Sequence, residues 1–376
     1  MAAPGCSRDE TAMTGGIHAT IQVHRGSFAL DADIEAPPGQ VTAIVGPNGS
    51  GKSTLLRAIA GLAPIDRGSI RIGDCVVDDA DGAFIAAEDR SIGVVFQDYL
   101  LFPHMTVRDN VAFGLRARGV RTRAARARAD ESLHEFGLVE LATRRPSQIS
   151  GGQAQRIALA RALITHPDAL LLDEPFAALD AGTRVATRAD LSRRLSDFTG
   201  ATLLVTHEPL EALVLADRVV VLEEGRVVQA GTMADVAARP ASAYVAALMG
   251  VNLLRGSAHD GRVTLRGGGE LIVASTMQGE VFATIRPSAV TAHRQRPEGS
   301  ARNVWPARVR TVEEIGDRVR VSFDGQPDLL VDLTAASVAS LSLAPGAQCW
   351  LTVKATEIDV YPAASSPESA EPVIRP

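Results

Sequence analysis

Apolar positions fall into a regular order from Ile17 onward. Ile17 to Val23 and Ser27 to Ile34 alternate apolar and polar residues, the period of two half-buried strands. After a Pro37-Pro38-Gly39 turn, Val41 to Val45 is an apolar, β-branched run, the mark of a strand covered on both faces. A glycine-rich break follows, and Leu55, Leu56, Ile59 and Leu62 then recur at helical spacing. Ser91 to Phe96 predicts another strand. Residues 105–165 carry a helical period with breaks near Gly119, Gly137 and Pro146. Strands return at Ala169 to Leu172, Thr202 to Val205 and Arg218 to Leu222, with a helix from Ala181 to about Phe198 between the first two. Beyond about Ala241 the helical period stops. Short strands then alternate with Gly, Asp and Pro turns at Val263 to Arg266, Val281 to Ile285, Ala307 to Val312, Val319 to Phe323 and Cys349 to Val353.

This pattern predicts an α/β domain over 16–240, with a helical subdomain at about 98–165. A linker over 241–255 and a small all-β, OB-like barrel domain over 256–362 follow. Residues 1–15 and 363–376 are polar and aperiodic, and predict a disordered leader and tail.

Composition narrows the function class. The chain has 376 residues, of which 46% are apolar and 22% charged, which fits a soluble globular protein. No run approaches the roughly 20 apolar residues that cross a bilayer. The N-terminus lacks the basic, apolar, small-residue order of a signal peptide. A membrane role is therefore expected to be peripheral, on the cytoplasmic face. The formal net charge of -6 argues against nucleic acid as a partner. Cys6, Cys75 and Cys349 are far apart and fit a reducing compartment. Lys and Arg total 38, yet the only lysines are Lys52 and Lys354. Where lysine survives such a bias, its compact ammonium has a chemical use.

Three segments carry chemistry. Gly46-Pro47-Asn48-Gly49-Ser50-Gly51-Lys52-Ser53-Thr54 matches the phosphate loop G-x-x-x-x-G-K-[ST]. Glycines let successive N–H groups curl around phosphate oxygens, and the following helix turns its positive end toward the anion. Lys52 would bridge the β- and γ-phosphates and Ser53 would ligate Mg²⁺. Leu170-Leu171-Leu172-Asp173-Glu174 brings two carboxylates to the C-terminal end of a strand, where α/β sheets place ligands. Asp173 suits Mg²⁺, and Glu174 suits orienting or deprotonating an attacking water. Ser150-Gly151-Gly152-Gln153 opens a helix with a capping serine and bare backbone, a second anion site.

Together these segments resemble the ATP-binding cassette (ABC) ATPases, the motor subunits of membrane transporters and P-loop NTPases by fold. Over about residues 17–240, the family's motifs occur in its order. Gly46 to Ser53 resembles the Walker A loop, and Gln97 in Val95-Phe96-Gln97-Asp98 the Q-loop. Ile149 to Gln153 resembles the signature, with Ile149 for the usual Leu. Leu170 to Glu174 is similar to Walker B, Ala178-Leu179-Asp180 to the D-loop, and His207 in Val205-Thr206-His207-Glu208 to the H-loop. The resemblance implies ATP and Mg²⁺, with Ser53, Gln97 and Asp173 as metal ligands. It implies Lys52, Gln97, Glu174 and His207 as the hydrolytic set. It also implies a homodimer in which Ser150, Gly151, Gly152 and Gln153 of one copy close on the phosphate loop of the other. Integral-membrane permease subunits, and through them an extracytoplasmic solute-binding protein, are the implied partners. The stretch Leu100-Leu101-Phe102-Pro103-His104-Met105 would receive the permease. The arginines at 116, 118, 121, 123, 126 and 128 read as a solvated helix face. The family's adenine-stacking aromatic is missing from Val23-His24-Arg25-Gly26, so His24, Arg25 or Phe28 is left to serve.

Residues 299–361 resemble the small molybdate-binding modules found at the ends of molybdate importer ATPases. Ser300-Ala301-Arg302-Asn303, Thr334 to Val338 and Val353-Lys354-Ala355-Thr356 carry that resemblance. It implies Ser300, Arg302, Ser337 and Lys354 as oxyanion contacts, since hydroxyls and fixed cations suit a tetrahedral dianion. The expectation is an ATPase of an oxyanion importer, for molybdate or tungstate. Importers of sulfate, iron or other solutes, a molybdate sensor and a non-transport cassette ATPase remain as alternatives.

Overall fold

The computed structural model describes residues 15–363, so the expected leader and tail lie almost wholly outside the described residues. The chain divides into two compact units between Ala234 and Asp235. In the first, β1 (Ile17–Arg25) and β2 (Phe28–Ala36) pair from Ile17 opposite Ala36 to Arg25 opposite Phe28. Ile17, Ala19, Ile21 and Val23 are buried while their neighbours face outward, as the alternation predicts. β3 (Val41–Val45) is buried at every position and feeds the glycine loop and α1 (Lys52–Ile59). Next come β4 (Arg67–Ile72), β5 (Cys75–Asp78) and β6 (Ile92–Val95). The helical insertion is α2 (Val107–Ala117), α3 (Thr122–Glu135) and α4 (Gly151–Leu163). Gly119 and Gly137, both at positive φ, end α2 and α3 where the sequence breaks. Then follow β7 (Ala169–Asp173), α5 (Ala181–Ser196), β8 (Ala201–Val205), α6 (Pro209–Leu215), β9 (Arg218–Glu223) and β10 (Arg226–Gly231).

These strands form one ten-stranded sheet in the order β5-β4-β1-β2-β10-β9-β3-β8-β7-β6. β9, β3, β8, β7 and β6 run parallel, and β5, β4, β1 and β2 antiparallel. β7 shows why the parallel half is apolar throughout. Leu170 and Leu172 enter the core shared with α2 to α5, while Ala169 and Leu171 enter the core under α1. Each fully buried leucine contributes about 1.5–3 kcal/mol.

Helix α7 (Met233–Ala238) crosses the division between the units. In the second unit, α8 (Ala243–Met249) is capped by the Ser242 hydroxyl and closed by Gly250 in the left-handed region. β11 (Asn252–His259) follows. The stretch 241–255, expected as a linker, is thus helix and strand, and the compact unit starts ahead of it. Helix α8 has seven residues, too few turns to print a helical period. The rest is β12 (Arg262–Leu265), β13 (Glu270–Ile272), β14 (Gly279–Ile285), β15 (Thr291–His293), β16 (Asn303–Ile315), β17 (Arg318–Gly325), β18 (Leu329–Leu333), α9 (Ala335–Leu341), β19 (Gln348–Val353) and β20 (Ile358–Pro362). Two five-stranded sheets, β13-β12-β11-β14-β20 and β15-β19-β16-β17-β18, pair antiparallel throughout and share one core, the small barrel-like domain expected. Two buried asparagines staple the sheets together. Asn303 exchanges bonds with the backbone of Ile272 at 2.7 and 2.8 Å, and Asn252 with that of Leu330 at 2.6 and 2.9 Å.

Candidate functional site

Four chain segments leave the same edge of the parallel sheet. The glycine loop leaves β3, Gln97 follows β6, Asp173 and Glu174 end β7, and Thr206 and His207 follow β8. With β3, β8, β7 and β6 adjacent and parallel, all four segments emerge at the strands' carboxyl ends, the crevice where open α/β sheets bind ligands.

The glycine loop can take only a few residues. A Cβ on Gly46 would lie 2.0 Å from the Leu222 carbonyl oxygen, and Gly51, at φ +106, would meet the Phe28 ring at 2.9 Å. The Lys52 ammonium donates to the carbonyls of Gly46 and Pro47 at 2.8 and 2.9 Å, folding back over its own loop. Burial lowers its pKa, and the charges of Glu174 and Asp173 oppose that shift. The Ser50 hydroxyl is buried without a hydrogen-bond partner. An orphaned donor in a cradle of bare backbone fits an anion such as a phosphate. Asn48, Gly49 and Ser53 are exposed along the loop, and Thr54 is half-buried.

The carboxylates are close to each other and to cations. Burial raises the pKa of Asp173 and the charge of Glu174 raises it further, with Arg57 and Lys52 opposing. Glu174 is held at φ +44, an unusual backbone for a side chain with a Cβ, and its N–H donates to the Val205 carbonyl at 2.9 Å. Its carboxylate lies 3.2 Å from the His207 Nδ1. The Gln97 side chain is exposed and makes no hydrogen bond among the described residues. Hard oxygen donors, namely Asp173, the Ser53 hydroxyl and the Gln97 amide, fit Mg²⁺, which takes one or two carboxylates and completes its shell with phosphate and water. No cluster of three or more His, Cys, Asp or Glu side chains able to hold a metal occurs among the described residues.

Ser150 caps α4, accepting from the Gln153 N–H at 3.4 Å while the Gln153 side chain accepts from the Ser150 N–H at 2.9 Å. The bare positions Gly151 and Gly152 face Leu179 and Thr183. No hydrogen bond or ion pair joins this turn to the glycine loop among the described residues. An open cavity of about 660 Å³ beside Gly49 is lined by His24 and Phe28. Arg25 turns away, donating to the carbonyls of His24 and Pro64, which leaves two of the three adenine candidates.

Sequence reasoning did not single out Arg161, Arg90 or Glu211, which hold elements of the first unit in place. Tyr99 and Leu100, just after Gln97, are both left-handed, and Arg161 of α4 donates to their carbonyls at 2.8 Å each. Buried Arg90 donates to the Ala58 and Ile59 carbonyls at the C-terminal end of α1. Thr206 donates to buried Glu211. The sequence offers a weak signal for Arg161, an arginine among apolar residues of α4, and none for Arg90, which follows Glu88 and Asp89 in a polar stretch.

In the second unit, Asn303 pairs with Val353, so Arg302 and Lys354 flank one end of the β16–β19 ladder, both exposed. Ser300 lies in the exposed approach to β16. Ser337 is in the first turn of α9, its hydroxyl 2.8 Å from that of Thr334. Helix α9 follows β18, whose Leu333 pairs with Val319 near the far end of β16. Within one chain the expected oxyanion set is therefore split, with Ser337 a strand's length from Arg302 and Lys354. The sequence motif could not show this, because it carries no information on where a helix returns.

The profile described as ABC transporter matches residues 30–177, and that described as TOBE domain matches residues 299–360. The chain is 40% identical over 348 residues to the molybdenum import ATP-binding protein ModC of Mycobacterium tuberculosis (strain ATCC 25618 / H37Rv), covering 89% of this chain and 94% of that one. It is also 40% identical over 348 residues to the sulfate/thiosulfate import ATP-binding protein CysA of Burkholderia mallei (strain ATCC 23344), covering 90% and 96%. The sn-glycerol-3-phosphate import ATP-binding protein UgpC of Jannaschia sp. (strain CCS1) is 44% identical over 269 residues, 70% of this chain and 75% of that one. With two relatives matched at 40% identity along nearly their whole length, this chain belongs to the ABC transporter family, among the ATP-binding subunits of importers.

Proposed function

We propose that the chain hydrolyses ATP in the crevice at the ends of β3, β6, β7 and β8 and so energises import of an oxyanion, molybdate first. The observation that carries the ATPase reading is the convergence there of Lys52, Asp173, Glu174 and His207, with the His207 Nδ1 3.2 Å from Glu174. The phosphates lie in the loop from Gly46 to Thr54, where the Ser50 hydroxyl and the loop's N–H groups meet their oxygens. Lys52 exchanges the carbonyls of Gly46 and Pro47 for β- and γ-phosphate oxygens. Ser53, Asp173 and Gln97 would hold Mg²⁺, which would supply neutralisation of phosphate charge. Glu174 orients the attacking water and takes its proton as the water oxygen bonds to the γ-phosphorus and the bridging oxygen leaves with ADP. His207, whose Nδ1 faces Glu174, contacts the γ-phosphate. Adenine lies in the cavity beside Phe28 and His24.

Ser150, Gly151, Gly152 and Gln153 of a second copy complete the site, as expected of bare helix N-terminal backbone that makes no hydrogen bond to its own chain's loop. Exposed Leu100 and the pair Phe102–Phe113, with ring centroids 4.5 Å apart, offer an apolar face to a permease helix. No helix of the described residues is long and apolar enough to cross a membrane, consistent with a peripheral subunit at the cytoplasmic face.

The molybdate reading is supported by the relative named for molybdenum import and by the paired cations Arg302 and Lys354. The sulfate-import relative of equal identity keeps sulfate as the second reading. Calorimetric titration of the full chain and of Lys354→Ala with molybdate, tungstate and sulfate tests the substrate class. Saturable molybdate binding that the variant loses supports molybdate, while sulfate binding alone replaces it with the second reading. Absence of phosphate release from ATP and Mg²⁺ by the chain with its permease would overturn the ATPase reading.

A further inference from the structure

Histidine 207 sits at the apex of a short turn between β8 and α6, and its side chain is 54% exposed. An exposed imidazole held only by one carboxylate would sample several rotamers. What limits it is the turn beneath. The Thr206 N–H donates to the Ile44 carbonyl at 3.2 Å, which fixes the turn to the residue two before the glycine loop. The fully buried Thr206 hydroxyl donates to Glu211 Oε2 at 2.5 Å and accepts from the Glu208 N–H at 3.0 Å. Glu211 occupies the third position of α6, from which a glutamate ordinarily reaches back to the amide of its own N-cap residue. Here the N-cap amide, Glu208 N–H, is satisfied by Thr206 instead, and the hydroxyl relays it to the carboxylate.

The hydrogen bonds therefore run from the residue after His207 to the residue before it and down into the core. Glu211 is only 4% exposed. A carboxylate so buried is costly unless partnered. Its surroundings are the Thr206 hydroxyl, the positive charges of Arg184 and Arg188, and the negative charge of Glu208. Arg184 in turn lies 3.7 Å from the Glu208 carboxylate and donates to the Leu179 carbonyl at 3.1 Å. The turn bearing His207 is thus tied on one side to the core and on the other to the Ala178–Asp180 turn.

We infer that Thr206 and Glu211 are positioning residues, whose relayed hydrogen bond holds the His207 imidazole in its working orientation toward Glu174 and the γ-phosphate. The inference rests on the catalytic reading of His207 proposed above. The hydroxyl is needed for turnover and not for holding nucleotide, because neither side chain is hydrogen-bonded to the glycine loop.

The test uses the full chain with its permease, reading kcat and KM by phosphate release and the Kd of ATP by calorimetry. Thr206→Val is expected to lower kcat about tenfold or more, with KM and Kd within about twofold, and Thr206→Ser to restore it. Thr206→Val leaves a buried carboxylate unpartnered and can fail to fold. The double variant Thr206→Val/Glu211→Leu removes hydroxyl and carboxylate together, so that no buried carboxylate is left unpartnered, and is expected to show the same loss of kcat. In a His207→Ala background, Thr206→Val is expected to lower the residual rate by less than about twofold, since the residue acts through the imidazole. Wild-type kcat in the folded double variant would overturn the inference. So would an equal fold loss with and without His207. Undiminished turnover in His207→Ala alone would instead overturn the catalytic reading of the histidine.

Discussion

Replacing Arg90 with methionine should destabilise the first unit far more than the loss of a surface charge would. The Arg90 side chain is fully buried, with Nη1 donating to the carbonyls of Ala58 and Ile59 at 2.8 and 2.7 Å, Nε to that of Ile85 at 2.8 Å and Nη2 to that of Val77 at 3.3 Å. Asp78 is 3.8 Å from the same guanidinium, and its Oδ2 has no hydrogen-bond partner. Burial lowers the arginine's pKa and the charge of Asp78 opposes this, yet a guanidinium stays protonated. Methionine fills similar volume but abandons the last carbonyls of α1 and leaves the buried Asp78 carboxylate without its counter-charge, with only the Ala80 N–H donating to it. Breaking a buried charged pair on one side costs about 3–5 kcal/mol. For a unit of this size that is a fall of about 6–20 °C in the midpoint. The loss should be partial in Arg90→Lys, whose single ammonium cannot fork to four carbonyls. It should also shrink in Arg90→Met/Asp78→Asn, where no lone charge remains. Helix ellipticity at 222 nm follows the transition. Both tryptophans, Trp305 and Trp350, lie in the second unit, so their fluorescence is an internal control. A midpoint in Arg90→Met within about 3 °C of wild type would refute the claim that Arg90 anchors the C-terminal end of α1.

Glu174→Gln is expected to keep ATP affinity, to cut turnover about 10²- to 10⁴-fold, and to elute as an ATP-dependent dimer in light scattering; wild-type turnover would remove Glu174 as the base. Gly46→Ala should weaken ATP binding about tenfold or more by calorimetry, because its methyl would collide with the Leu222 carbonyl 2.0 Å away. Burial pushes the Cys349 thiol up to about 11, whereas an unfolded thiol ionises near ~8.5. The folded state thus keeps a proton that the unfolded chain loses, so the contribution is full below ~8.5 and is lost as pH rises toward 11. Urea midpoints read by tryptophan fluorescence should therefore fall less steeply across this window in Cys349→Ala than in wild type, and parallel curves would contradict the assignment.

The parts of the candidate site that are legible in the sequence share a property. The glycine loop, the Asp173-Glu174 pair and the Ser150 turn each need particular residues at fixed spacing along a few positions, so the constraint is written locally. The strands β3, β7 and β8 were legible for a related reason, since burial on both faces forces a continuous apolar run. What escaped is non-local or short. Arg90 meets Ala58 across 32 positions, and Arg161 meets Leu100 across 61, and neither partner is marked, because both are backbone carbonyls. Strands β13 and β15 have three residues each and helices α8 and α9 seven, too few to reveal a period. Ser337 was grouped with Arg302 and Lys354 by motif alone, and the fold set them apart because α9 follows a strand that ends at the opposite side of the sheet.

The near-absence of lysine makes the protein its own reporter. Lys52 is buried against two loop carbonyls, while Lys354 is exposed on the second unit. An amine-reactive dye applied under native conditions will therefore find, besides the chain's terminal amine, one fast site on the barrel and one slow site in the glycine loop. The slow site opens only when Lys52 lets go of Gly46 and Pro47, and a phosphate that captures the ammonium closes it again. The ratio of label on the two peptides then measures how often the loop is empty and open, without any engineered probe.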